Sequence, residues 1–211
     1  MTTLAPSARR LVLADRVFGR TLALDIVLVV AGAAFVTILA QISIPLYPVP
    51  ITGQTLAVLL VGSTLGAARG GLSLVLYAVL GLVGLPVYAP NADGSHTSGL
   101  ASVSTASFGY VIGFILSAAL VGWLAERAWD RKVLKALATF AAGSLAVFAI
   151  GLPWLAVFLG THGAANDLQS VLIAGFYPFI IGGIIKAVIA AGLLPLGWRG
   201  ADKLAERRRE S

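Results

Sequence analysis

Long apolar runs alternate with short polar turns along almost the whole chain. Six of them read as helices, at about 22–43, 54–68, 70–88, 107–124, 134–159 and 171–196. A helix needs roughly 20 mostly apolar residues to cross the hydrocarbon of a bilayer, and five of the six runs come near that or exceed it. The second, Gln54 to Ala68, is short and on length alone reads as re-entrant. The polar positions decide for a full span. All but one of the 15 Lys and Arg residues fall in four stretches: Arg9, Arg10, Arg16 and Arg20; Arg69; Arg127, Arg131, Lys132 and Lys135; and Arg199, Lys203, Arg207, Arg208 and Arg209. The turns at 43–54, 89–106 and 160–170 contain neither residue type. Short loops rich in Lys and Arg stay cytoplasmic, so the pattern predicts both termini inside and an even number of spans. Omitting the second run would put the last Arg cluster outside. The predicted fold is an all-α integral membrane protein with six transmembrane helices and cytoplasmic N- and C-termini. Residues 1–21 then form a basic cytoplasmic tail, 22–197 the membrane domain and 198–211 a second basic tail, in a multi-pass protein of the plasma membrane.

The turns carry their own signals. Pro45, Pro48 and Pro50 end the first helix and stiffen the chain ahead of Thr52-Gly53-Gln54, and Leu85-Pro86 ends the third. Asn91 to Ser104 is the longest outer loop, rich in Ser, Thr and Gly and charged only at Asp93. Such a segment either lines or caps a polar cavity, or is a solvated connector. Trp123, Trp129 and Trp198 fall near predicted inner boundaries, where amphipathic indoles prefer to sit.

Composition excludes several classes. With 58% apolar and 11% charged residues and a mean hydropathy of +0.94, a soluble domain could not hide its apolar surface. The net charge of +6 does not point to nucleic acid, because the cations alternate with spans instead of forming one face. Anionic lipid headgroups of the inner leaflet are their expected partners. Cysteine is absent, which excludes disulfides and thiolate metal sites, and no cleavable signal is evident.

Lys186 is the fifteenth cation and the sharpest chemical signal. It lies ten residues before Leu196, about 15 Å from the inner end of its run at 1.5 Å per residue. A lysine so deep costs on the order of 3 kcal/mol to insert, so it should face protein and find an anionic or carbonyl partner. Asp25 is a poor match, since it sits in the first turn of helix one, roughly 10 Å nearer the inner surface, where it reads as a helix N-terminal acid. No other acid lies inside a run. Lys186 is therefore either a ligand-binding group or a structural donor to backbone carbonyls. Gly182 and Gly183 open space beside it, or serve close helix packing. Gly62-x-x-x-Gly66 and Gly109-x-x-x-Gly113 read mainly as packing, and Ala33 with Thr37 forms a small-residue patch able to seat a partner helix. No phosphate loop, catalytic triad or paired intramembrane carboxylates are present, and His96 and His162 are lone loop residues. The sequence thus predicts no enzyme, no cofactor and no metal, and favours small-molecule binding and transport.

Four blocks then become informative together. Pro48-Val49-Pro50-Ile51-Thr52-Gly53-Gln54-Thr55-Leu56, Gly81-Leu82-Val83-Gly84-Leu85-Pro86-Val87-Tyr88-Ala89, Gly109-Tyr110-Val111-Ile112-Gly113-Phe114 and Pro178-Phe179-Ile180-Ile181-Gly182-Gly183-Ile184-Ile185-Lys186-Ala187 resemble the BioY family of biotin transporters, in order and spacing, over about residues 22 to 197. The resemblance implies a six-helix S component of an energy-coupling-factor transporter, holding biotin near its outer face. A membrane coupling subunit (T component) and a pair of ABC ATPases supply the energy, although some members are thought to work without them. Ala33 and Thr37 correspond to the patch that meets the coupling subunit. Two departures stand out. Where the family usually has Pro-Gly-Asp-x-x-Lys, Ile181 and Gly183 replace the Pro and the Asp expected to bind the ureido N–H groups. Ahead of Gly109-Tyr110, Thr105-Ala106-Ser107-Phe108 keeps only the hydroxyl of the family's Gly-Pro-Thr/Ser-Gly. Asn91 lies within one residue of the place of a binding Asn. Tyr88, Tyr110 and Phe176 are the expected walls, with Lys186, Ser107, Gln54 and Asn91 as polar contacts. Lys186 is assigned either to the ureido oxygen or to the carboxylate, and Gln54 either to ligand or to bracing the turn. The outer loops 44–53 and 89–106 are expected to close over the vitamin. The rival readings are an S component for another vitamin or small amide-containing ligand, and a non-transporting scaffold.

Overall fold

The computed structural model describes residues 12–91 and 93–210, apart from the side chains of residues 205 and 208–210. Arg9 and Arg10 of the first basic stretch lie outside the described residues. A short helix, α1 (Leu13–Phe18), precedes α2 (Leu22–Ala40), which starts where Thr21 Oγ1 accepts the Leu24 N–H at 3.2 Å, a side-chain cap on an otherwise orphaned donor. Beyond α2 the proline turn is folded back by a small antiparallel pair, β1 (Ser43–Ile44) and β2 (Ile51–Thr52), with Ser43 opposite Thr52 and Ile44 opposite Ile51. Then come α3 (Gln54–Leu65) and α4 (Ala67–Leu82), a 3₁₀ turn at Gly99–Ser104, and α5 (Phe108–Ala125). A second 3₁₀ turn at Trp129–Arg131 leads into α6 (Val133–Thr161), α7 (Leu168–Gly175) and α8 (Tyr177–Glu210).

Among the described residues, α2, α5, α6 and α8 are long and apolar enough to cross a membrane, whereas α3 and α4 are apolar but only 12 and 16 residues long. The protein is a multi-pass membrane protein, and the differences from the predicted runs have local causes. The third run was expected to reach 88, but α4 stops at Leu82, where Gly84 takes a φ of +104° ahead of Pro86. The sixth run, expected as one helix over 171–196, is two. Pro178 cannot donate to Ala174 and its ring crowds that carbonyl, so the helix breaks at Phe176 (φ −126°, ψ −59°). At the other end α8 runs on to Glu210, because Ala, Leu, Lys, Glu and Arg are all strong helix formers.

Most of α5 is buried, while α2 and α8 lie at the perimeter; α5 packs against α3, α4 and α6. Missing side chains make that packing close. A Cβ on Gly62 would fall 2.6 Å from the Ala118 carbonyl oxygen, one on Gly113 2.8 Å from that of Val147, and one on Gly122 2.3 Å from the Gly66 carbonyl carbon. Gly66 itself is not in a helix. Its φ of +87°, open mainly to glycine, turns α3 directly into α4, and Glu126 Oε1 accepts the Ala67 N–H at 2.9 Å to cap the new helix.

An ion-pair network closes the end of the bundle beneath α1. Arg69 reaches Asp15 at 2.6 Å and Asp25 at 3.0 Å, Arg20 adds a second contact to Asp15 at 2.7 Å, and Arg16 joins α1 to Asp202 of α8 at 3.1 Å. Asp25 is thus more than the helix N-terminal acid the sequence suggested. Burial alone would raise the Asp15 carboxyl, but hydrogen bonds from Arg20 and Arg69 outweigh it and hold the group below the ordinary carboxylate value. On α2, Ala33 is 1% exposed and belongs to the chain's own core. Thr37 is half-buried and donates to the Ala33 carbonyl at 2.9 Å. The Ala33 side chain faces inward, so the face of α2 left open is the one bearing Ile26, Val30 and Ile38.

Candidate functional site: an aromatic cavity under the proline turn

A cavity of about 860 Å³ lies beneath the 45–50 turn, between the starts of α3 and α5, the middle of α6 and the first half of α8, with the 88–107 segment along one side. All eight residues singled out for substrate contact line it: Gln54, Tyr88, Asn91, Ser107, Tyr110, Phe176, Gly183 and Lys186. What they do there differs from residue to residue.

Among the described residues, Lys186 is the single charged one in the lining. Its ammonium donates to the Thr52 carbonyl and, at 3.0 Å, to Thr55 Oγ1. The partner is therefore a carbonyl and a hydroxyl. The shortness of α3 makes this contact possible. Twelve residues span only about 18 Å, and the β2 end of the proline turn lies beside the first third of α8, where Ile51 packs near Gly182. A Cβ at Gly183 would meet no atom within 4 Å, so this position faces open space one turn from Lys186.

Gln54 is used at both ends. Its Nε2 donates to the Tyr77 hydroxyl at 2.5 Å and its Oε1 accepts from Thr52 Oγ1 at 2.8 Å, which is the bracing role. Tyr88 rests on Gly81, where a Cβ would be 2.1 Å from its ring, and its hydroxyl donates to the Ala78 carbonyl at 2.7 Å. Tyr110 donates to the Gly175 carbonyl at 2.9 Å, occupying an oxygen freed by the break at Phe176. Both tyrosines thus present ring faces, with their hydroxyls already engaged. Phe176 packs edge-on to Phe148, with ring centres 4.9 Å apart, and Phe179 stacks on Tyr110 at 6.1 Å. Ser107 stands at the start of α5 without a side-chain cap bond, its Oγ 3.4 Å from Thr105 Oγ1. Asn91 is exposed and donates to Ser95 Oγ and Thr97 Oγ1, each at 3.0 Å. Trp154 ties this side of the cavity to α6 by donating to the Thr105 carbonyl at 3.0 Å, and lies over Gly109, whose hydrogen leaves room for it.

Sequence reasoning missed Thr55, Ser144, Phe148 and Phe179, which also line the cavity. Thr55 and Phe179 stand inside the quoted blocks; Ser144 and Phe148 carry no signal, because α6 reads as an unbroken apolar run. His96 is half-buried, its Nδ1 3.1 Å from the Tyr88 carbonyl oxygen, and His162 lies exposed against Phe158. Among the described residues no three metal-ligating side chains gather.

Apolar walls, rings and one anchored cation form a pocket of the size that takes small organic molecules, commonly 300–1,000 Å³. Residues 10–203 match the sequence model of the BioY family. The chain belongs to that family. Among its relatives in the family, biotin transporter BioY2 of Lactococcus lactis subsp. cremoris is 32% identical over 165 residues, covering 78% of this chain and 85% of the relative. Biotin transporter BioY of Thermotoga maritima is 35% identical over 162 residues, covering 75% and 86%. A crystal structure of the S-component for biotin from an ECF-type ABC transporter superposes with a TM-score of 0.64 at 25% identity, over 82% of this chain and 89% of that one. Shared membership covers the helical core and all four sequence blocks.

Proposed function

We propose that this protein captures biotin from outside the cell and delivers it across the plasma membrane, acting as a transporter subunit and not as an enzyme. The observation that carries the reading is the cavity. Its walls suit an apolar bicycle and aliphatic chain, its hydroxyl-rich 88–107 side suits a neutral urea, and Lys186 offers one positive charge. Biotin presents those three chemistries together. In this reading α3 and α4 complete a six-span bundle, both termini are cytoplasmic, and the proline turn and the 88–107 segment lie outside, where they close over bound vitamin. The membrane domain is residues 22–197, between basic tails at 1–21 and 198–211. Energy comes from a membrane coupling subunit and a pair of ABC ATPases, consistent with a chain that lacks a phosphate loop of its own. Ala33 being buried, the coupling helix is placed along the open face of α2 beside Thr37.

The test is equilibrium binding of biotin to the purified protein, followed by tryptophan fluorescence or calorimetry, in parallel with Lys186→Ala. Saturable binding that weakens by roughly 2–5 kcal/mol in a well-folded variant supports the reading, as expected for loss of a buried charged contact. Unchanged affinity would remove Lys186 from the site. The open space at Gly183, where the family usually has an acid, favours one second reading, an S component for another small amide-containing ligand. A folded protein that ignores biotin but binds such a compound would establish it.

A further inference from the structure

Ser144 is half-buried in the middle of α6 and lines the cavity. A hydroxyl inside a helix often donates to the carbonyl four residues earlier, as those of Thr37, Thr64, Ser73, Thr139 and Thr161 do here. The Ser144 hydroxyl does not, and it has no hydrogen-bond partner among the described residues. Ser63 and Ser117 also lack one, but both are sealed among packed helices and neither lines this cavity. The register of α6 against α8 says what Ser144 faces. Phe148 meets Phe179 with ring centres 6.4 Å apart, while Phe140 clusters with Ala190 and Ala191. The two helices therefore run antiparallel, and Ser144, four residues from each of its phenylalanines, shares their face. Opposite it, between Phe179 and Ala190, stand Gly183 and Lys186.

An ammonium has three N–H donors. Two of those of Lys186 go to the Thr52 carbonyl and Thr55 Oγ1, and the third has no acceptor among the described residues. Both partners are neutral and the described lining holds no acid, so the charge stands uncancelled in apolar surroundings, where an anion is attracted most strongly. A urea oxygen would add one more neutral partner; a carboxylate brings the missing charge and two acceptor oxygens. Gly183 leaves room for it, since a Cβ there meets no atom within 4 Å. With glycine at this place, one turn from Lys186, no side-chain acid competes for the cation or repels the ligand. Building on the biotin reading above, we propose that Lys186 and Ser144 form a seat for the ligand's carboxylate. Lys186 donates to one oxygen and Ser144 to the other, so the valerate points to the α6–α8 contact and the bicycle lies toward the 88–107 segment.

The test compares biotin with its neutral primary amide, biotinamide, by calorimetry on the purified full chain. Wild type should bind biotin about tenfold or more the tighter, as expected for a hydrogen-bonded charge. Ser144→Ala should lose about tenfold on biotin with its thermal unfolding unchanged. Gly183→Asp should weaken biotin as well, because the new carboxylate neutralises Lys186. Equal affinity for acid and amide, a folded Ser144→Ala with wild-type affinity, or a Gly183→Asp that binds biotin more tightly would each overturn the seat. A second measurement does not depend on biotin. The chain has no cysteine, so Ser144→Cys sets a lone thiol in the cavity. Anionic sulfonatoethyl methanethiosulfonate should modify it about tenfold faster than the cationic trimethylammonium reagent, as charged clefts favour counter-ions, and Lys186→Gln should erase the preference. Equal rates before that substitution would overturn the seat. Wild type that binds no biotin, while the thiol keeps its preference for the anion, would overturn the biotin reading and leave the anion seat standing.

Discussion

Lys186 and Arg69 are both cations held within this bundle, and their partners separate their roles. Lys186 faces a cavity and leans on neutral oxygens, so its charge stays available. Arg69 is neutralised twice, by Asp15 and Asp25, and only a tenth of its side chain is exposed. Arg69→Gln should therefore cost about 1–3 kcal/mol, since it takes one of two cations from the buried Asp15 carboxylate, leaving Arg20, and removes the partner of Asp25; thermal unfolding in detergent would measure this, and a wild-type melt would make the network dispensable. Asp15 also gives a pH dependence. Its pKa is lowered on folding, so its contribution is complete above the ordinary carboxylate value of 3.8 and disappears as pH falls through the lowered value. An acid-induced loss of stability that Asp15→Asn does not share is the expected result. At the cavity, Tyr110→Phe keeps the ring and removes only the bond to Gly175, a loss of about 1 kcal/mol in stability with biotin affinity little changed. A large fall in affinity would show that the hydroxyl turns to the ligand. The residues around the cavity were legible in the sequence mainly through the four blocks that resemble the BioY family, with Lys186 and its neighbour Gly183 standing out by their place deep in an apolar run. Their hydrogen-bond partners were not, since the contact of Lys186 with Thr52 spans 134 positions and leaves no local trace.

At the level of helices, the existence of each apolar segment was legible and its ends were less so. Hydropathy does not register where the backbone turns. Val83 to Tyr88 is as apolar as a helix, yet Gly84 and Pro86 unwind it, and the sixth run conceals a break because Pro178 acts on a carbonyl four residues earlier. The paired Gly motifs were read as packing. Gly62 and Gly113 do pack backbone to backbone, whereas Gly66 forms the corner between α3 and α4. Gly122, not singled out in the sequence, makes the tightest of these helix-to-backbone approaches, against Gly66. Gly122→Ala should destabilise by about 1–3 kcal/mol, the usual range for overpacking, because backbone cannot swing aside as a side chain can. A lowered melting temperature with cavity residues intact is expected. An unchanged one would mean the corner can shift.

For the molecule as a whole, the proposed six-span topology rests on the charge pattern and is testable by chemistry. Single cysteines at Ser95 and Lys203, both exposed, should react with impermeant reagents from opposite sides of the membrane; reaction from one side would break the six-span arrangement. Ala201 is unsuited to the purpose, being 3% exposed against its neighbours. The brevity of α3 has an effect on the journey of the cargo. Because that helix lets the proline turn reach Lys186, a ligand lodged there would be about 15 Å from Leu196, the predicted inner end of the sixth run, in a hydrocarbon layer roughly 30 Å thick. On the proposed function, half the crossing would then be completed by diffusion, before any partner ATPase hydrolyses nucleotide. In the proposed orientation the powered step would have only the inner half to open, the half where Gly62 and Gly122 bring α3, α4 and α5 into backbone contact. The same contacts that make the bundle compact would there seal it against leakage of ions.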